Sequence, residues 1–301
     1  MWVFVAFLAS CTLLMAMSWL VLFEPGLSLQ KDIPQRGIFV KNYIAQGQEF
    51  ALCAVALAYP IYTLLRERRV WPALLLLGIA LSLLANMTFV IVSRTAIVTM
   101  PIMLAVFAAL HLKWRTSVTI FVTTALLAGA SWFASPQLRA TVDSAFRDYQ
   151  LYKEQNVPTS IGLRLEFWQK SLRFIAEAPL AGHGTGSTRK LFERVAVGDP
   201  TLQASANVIG NPHNQTLNVA VQWGALGAAV LWAMWLSHLL LFRGEGLVAW
   251  IGLLVVVQNV FTSLLNSHIF DFHEGWMYVL GVGVAGGMMM KRRSCETGAP
   301  R

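Results

Sequence analysis

The 301 residues are 56% hydrophobic and 13% charged, and a mean hydropathy of +0.57 excludes an ordinary soluble domain, which carries about 25% charged residues. The formal net charge of +8 does not mark a nucleic-acid binder, because the basic residues sit in short loops and one long polar segment, with no basic helix and no aromatic stacking platform. Cys11 and Cys53 fall in apolar stretches and Cys295 in the tail, so no disulfide framework is expected.

A bilayer core of about 30 Å needs roughly 20 apolar residues per helix. Eight stretches read as such spans: about 2–23, 45–65, 71–92, 95–112, 116–134, 216–242, 247–267 and 275–290. The first has no basic leader and no small-residue cleavage site, so it reads as a retained span and not as a signal peptide. The expected fold is an all-α polytopic membrane protein of about eight transmembrane helices. Its predicted parts are residues 1–134 with spans one to five, a helical external segment at 135–215, and residues 216–301 with spans six to eight and a tail.

Short loops set the orientation. Arg66, Arg68 and Arg69, then Lys113 and Arg115, then Arg243, then Lys291, Arg292 and Arg293 all fall on one side, which the positive-inside rule makes the cytoplasm. Lys31, Arg36 and Lys41 in the first external loop point the other way. The basic residues of 135–215 carry little weight, since loops longer than about 60 residues cross largely regardless of charge. Within that segment Leu138, Val142, Ala145 and Tyr149 recur at helical spacing, as do Leu165, Trp168, Leu172 and Ile175. Two or three short amphipathic helices are predicted at the membrane surface, with Ser160 capping the second and Pro179 and Gly182 ending it.

Four groups of residues are candidates for chemistry. Arg94 interrupts the apolar run Phe89-Val-Ile-Val-Ser-Arg94-Thr-Ala-Ile-Val, at a cost of about 2.5–3.5 kcal/mol at a span centre. The cost falls if the run breaks there into two helices. Arg94 then either snorkels to the headgroups or binds an anion. Arg164 either covers the ring of Trp168 four residues on or, together with Arg94, offers the planar bidentate donors that suit a diphosphate. His213 follows a proline that discourages helix before it and has the side chain best suited to act as a base near neutral pH. Alternatively it belongs to a capping cluster with Asn211, Asn214 and Gln215, the preferred reading for Asn211 and Gln215. The turn Gly182-His-Gly184-Thr-Gly186 could cradle a phosphate, although it lacks the ending of a nucleotide-binding loop. His268, Asp271, His273 and Glu274 could hold a metal but read more simply as a solvated loop. No Asp-x-Asp pair for a metal-bound sugar nucleotide is seen.

Taken in order, these elements resemble the O-antigen ligase and polymerase superfamily of bacterial envelopes. The matching pieces are Arg36-Gly-x-Phe-x-Lys41-Asn42, Ser93-Arg94, Ser160-x3-Arg164-x3-Trp168, Pro179-x2-Gly182-x-Gly184, Pro212-His213-Asn214 and Trp223-Gly-x-Leu-Gly227. They run from about residue 35 to 240. Family members usually look like ten to twelve spans, so roughly four N-terminal helices would be missing here.

The resemblance implies transfer of a glycan from an undecaprenyl-diphosphate-linked donor to the lipid A–core acceptor, completing lipopolysaccharide. It places the enzyme in the bacterial inner membrane, among membrane lipids, with its active site facing the periplasm and with no cofactor and no metal. His213 would be the general base, with Arg94 and Arg164 on the diphosphate. Lys41, Trp168, Gly184 and Asn214 would contact substrate. O-antigen polymerases and pilin ligases share these motifs. A transporter of a lipid-linked anion is the alternative of another class, although paired interrupted helices in matching halves are not seen.

Overall fold

The computed structural model describes residues 2–29, 36–40, 42–155, 157, 159–196 and 210–297, and these residues form helices with no strand among them. The chain divides into two units, Met1–Asp143 and Ser144–Arg301.

The first unit holds α1 (Trp2–Phe23), α2 (Tyr43–Ala56), α3 (Ala58–Arg66), α4 (Val70–Phe89), α5 (Arg94–His111), α6 (Trp114–Ala134) and the start of α7 (Pro136–Gln155). The predicted second span is thus two helices that meet at Leu57. Pro60, the third residue of α3, has no N–H to donate to the carbonyl of Ala56, which loosens the helix there. At the centre is α2, packed against α1, α3, α4 and α5 and buried from Gln46 to Ala56 except at Glu49. Asn42 caps it, its Oδ1 accepting from the N–H groups of Ile44 and Ala45 at 3.0 and 2.9 Å. Gly37 lies in the left-handed region at φ 68°. Its carbonyl accepts from Ser18 Oγ at 2.7 Å, and a Cβ there would meet Val90 at 2.1 Å.

In contrast, α6 buries no residue and leaves Leu126 and Phe133 70% and 80% exposed. A helix apolar on every side and this exposed is suited to lipid and not to water. Among the described residues, six helical stretches are long and apolar enough to cross a membrane, the second of them α2 and α3 together: Trp2–Phe23, Tyr43–Arg66, Val70–Phe89, Arg94–His111, Trp114–Ala134 and Gln215–Leu241. The chain is an all-α, multi-pass membrane protein.

The second unit continues α7 and adds α8 (Ser160–Glu177), α9 (Ser187–Ala196), α10 (Gln215–Leu241), α11 (Leu247–Thr262) and α12 (Phe272–Thr297). The seventh predicted span stops at Thr262, because residues 263–271 turn back over the start of α10. The described part of the long polar segment is mostly helical, as predicted, but its faces differ from the prediction. None of α7 is buried. In α8 the buried positions are Gly162, Phe167, Ser171 and Phe174, whereas Leu172 of the predicted stripe is 57% exposed. Two phenylalanines set this register by packing edge-on against Phe192 of α9, with ring centroids 5.6 Å (Phe167) and 5.3 Å (Phe174) away. Such pairs add about 0.5–1.5 kcal/mol each beyond area burial. The cap of α8 is Thr159 and not Ser160, with Thr159 Oγ1 accepting from Gly162 N–H at 3.2 Å.

The longest helix is broken. At Gly224 the backbone of α10 adopts φ 64°, ψ −159°, a region reserved for glycine. Turn 179–184 pairs with the break. His183 and Gly184 donate to the carbonyls of Val221 and Gln222 at 3.0 and 2.9 Å, and the N–H groups of Ala225 and Leu226 donate to Pro179 and Leu180 at 2.8 and 3.3 Å. Two glycine motifs of the sequence are therefore one joint. A Cβ on Gly224 would stand 2.2 Å from Leu180 O, and one on Gly182 would stand 2.4 Å from Gln222 C. Gly224→Ala and Gly182→Ala are each expected to destabilise the protein by about 1–3 kcal/mol or more, read as a lowered Tm in detergent. Gly184→Ala has no atom within 4 Å of its Cβ, so only its positive φ opposes it and the shift should be smaller.

Candidate active site

The expected break before Arg94 is present. Helix α4 ends at Phe89, and Ser93 caps α5 by accepting from the N–H of Ala96, so Arg94 is the first helical residue and lies half-buried. A cation at a helix N-terminus opposes the helix dipole, whereas an anion there is favoured. Arg94 belongs to the first unit and Arg164 and His213 to the second. Lys41 lies outside the described residues.

His213 stands two residues before α10, where Pro212 keeps the chain extended. It takes φ 55°, unusual for a residue with a side chain. Asn211 stabilises this turn, its Oδ1 accepting from His213 N–H at 2.8 Å. From α8, Trp168 Nε1 donates to the carbonyl of Pro212 at 3.1 Å, which ties the helix of Arg164 to the histidine loop. The turn 263–271 clasps the same loop from the other side. Gln215 N–H donates to the carbonyl of Ser263 at 2.8 Å, and Gln215 Oε1 accepts from Ile269 N–H at 3.0 Å.

The imidazole itself meets Asn266. His213 Nδ1 is 2.8 Å from Asn266 Oδ1, and Asn266 Nδ2 donates to Asp271 Oδ2 at 3.0 Å. A carboxylate only accepts, so the amide faces the ring with its oxygen and Nδ1 must carry the proton. Nε2 is then the basic atom. Burial lowers the pKa of His213 below its ordinary 6.5. The Asn266 hydrogen bond opposes this, Arg164 lowers it further, Asp271 raises it and His268 lowers it. A base with a lowered pKa remains neutral until the pH falls below its ordinary value. If His213 serves as a base, the acid limb of kcat/KM is therefore expected below pH 6.5, measured as a pH–rate profile of the purified protein.

Several predicted contacts have other partners. Asn214 caps α10, its Oδ1 accepting from Leu217 N–H at 3.0 Å and its Nδ2 donating to Leu264 O at 3.1 Å. Gly184 N–H is held by Gln222 O and Gly186 N–H by Gln222 Oε1 at 2.7 Å, so the turn joins two protein segments where a phosphate cradle was conceivable. Trp168 anchors Pro212, as above. His268, Asp271, His273 and Glu274, expected as a solvated loop, are instead half-buried or buried. His268 is 1% and Glu274 5% exposed, and donor atoms of His268, Asp271 and Glu274 lie within 4.8 Å of one another. That spacing would admit a divalent ion, though Asp271 already accepts from Asn266. Sequence reasoning missed Asn266; Asp271 was seen only as part of that loop.

A family model described as O-antigen ligase matches residues 79–233, a stretch that spans Arg94, Arg164, the glycine joint and His213. The chain belongs to the O-antigen ligase family. Members of the O-antigen ligase family are glycosyltransferase-like enzymes, which fits a polar platform built on membrane helices. No curated protein matches the chain. Asn266 and Asp271 lie beyond the stretch matched by the O-antigen ligase model.

Proposed function

We propose that the protein ligates a glycan from an undecaprenyl-diphosphate donor onto lipid A–core, from the periplasmic side of the bacterial inner membrane. The observation that carries this reading is a half-buried histidine whose Nδ1 is engaged by Asn266 and whose pKa is lowered by burial and, less, by Arg164. His213 Nε2 takes the proton of the acceptor hydroxyl as its oxygen attacks the anomeric carbon. The bond from that carbon to the phosphate oxygen breaks, its electron pair leaves with the diphosphate, and the configuration inverts. Arg164 stabilises the charge that develops there. Arg94 is a second residue for the anion, on its motif and its position at the N-terminus of α5. Both guanidinium groups remain charged at any working pH, so no metal is required to neutralise the leaving group.

The test is transfer by purified protein in lipid, with the lipid-linked glycan as donor and lipid A–core as acceptor, read as banding on a gel. New bands on lipid A–core support ligation. Extension of the donor without lipid A–core would make the protein a polymerase, and glycan on a pilin would make it a protein glycosyltransferase. The rate is expected to be unchanged by a chelator. A chelator-sensitive rate would instead give His268, Asp271 and Glu274 a metal-holding role.

A further inference from the structure

We propose that Asn266 and Asp271 are the positioning residues of this site: Asn266 selects the tautomer of His213, and Asp271 selects the orientation of Asn266. The inference rests on His213 acting as a base, and it adds why that histidine has its lone pair on Nε2. A neutral imidazole has one N–H, and the partner of one nitrogen decides which atom is basic. Asn266 alone could present either end of its amide to the ring. If Nδ2 faced His213, Nδ1 would have to accept, the proton would move to Nε2, and no base would point away from the clasp. Asp271 removes this ambiguity, because its carboxylate can pair only with the NH2 end. Asn211 Nδ2, 3.3 Å from Asn266 Oδ1, donates to the same oxygen and reinforces the choice.

Asp271 is itself held. Its Oδ2 is 3.5 Å from Nδ1 of the buried His268, and Glu274 closes the cluster. Asn266, His268 and Asp271 come from one turn, 263–271, whose seat on α10 does not depend on the Asn266 side chain. Gln215 grips Ser263 and Ile269, and Asn218 Nδ2 donates to Ser267 Oγ at 3.3 Å. Asn266 can therefore be changed while the turn keeps its place.

The experiment uses the full chain in lipid nanodiscs with 15N-labelled histidine, and His213→Ala identifies the His213 signal by difference. The wild type is expected to show a protonated Nδ1 and an unprotonated Nε2 above the acid limb. Asn266→Ala and the isosteric Asp271→Asn should both mix the tautomers. They should lower kcat in proportion to the tautomer lost, up to about 10⁴-fold where the wrong tautomer takes over, and leave the donor KM within about twofold, since binding groups are untouched. A wild-type His213 protonated on Nε2 overturns the proposal. So does an Asn266→Ala enzyme with wild-type kcat when His213→Ala is inactive. If His213→Ala itself transfers at the wild-type rate, the base assignment fails first, and the tautomer measurement still decides whether Asn266 sets the ring.

Discussion

Replacing His213 by alanine is expected to lower kcat about 10²–10⁴-fold, the range for loss of a general base, while the protein still inserts and binds its donor. The imidazole is not what holds its loop. Trp168 grips Pro212, Asn211 closes the turn through a backbone N–H, and Asn214 caps α10. Those contacts survive the substitution, so a loss of transfer without loss of Tm separates chemistry from folding. Complementation of a ligase-deficient strain gives the same answer in cells, as lipopolysaccharide ladders with the wild type only. Ladders from both proteins would remove His213 as the essential base.

Arg164→Ala should cost about 10²–10³-fold in kcat, as loss of a donor to a developing anion does. Arg164→Lys keeps the charge but not the planar fork and should recover only part of the rate. A second readout comes from the histidine. Arg164 is one of the groups that depress its pKa, so residual activity of Arg164→Ala should show an acid limb shifted upward relative to the wild type. An unshifted limb with a full rate would separate Arg164 from both the anion and the base.

The architecture was legible because apolar run length is a strong signal in a membrane, and Arg94 was readable as a helix boundary because a mid-span arginine is costly. The face of α8 was not legible. Leu165 and Leu172 share a helical spacing with Trp168, and so do Phe167 and Phe174 with Ser171. Only packing against Phe192 decides which set is buried. Asn266 was invisible for a different reason. It lies 53 residues from His213 in sequence, no periodicity connects them, and one asparagine in a polar turn carries no local signature. The cluster at 268–274 drew notice as possible metal ligands, when one of its members, Asp271, also supports the amide behind the histidine. Gly182 and Gly224 were both recognised as motif residues, but their pairing across 42 residues required the fold.

The joint at Gly224 has a bearing on how the protein is made. Residues 225–241 alone sit at the lower limit of the about 17–25 residues that span a bilayer, whereas the whole of Gln215–Leu241 is 27 residues long. A break in it leaves peptide groups that lipid cannot solvate, and their partners, Pro179 to Gly184, leave the ribosome earlier. The turn is thus already synthesised when the helix arrives. A defect in the turn is then expected to leave the later helix without the partners for its break.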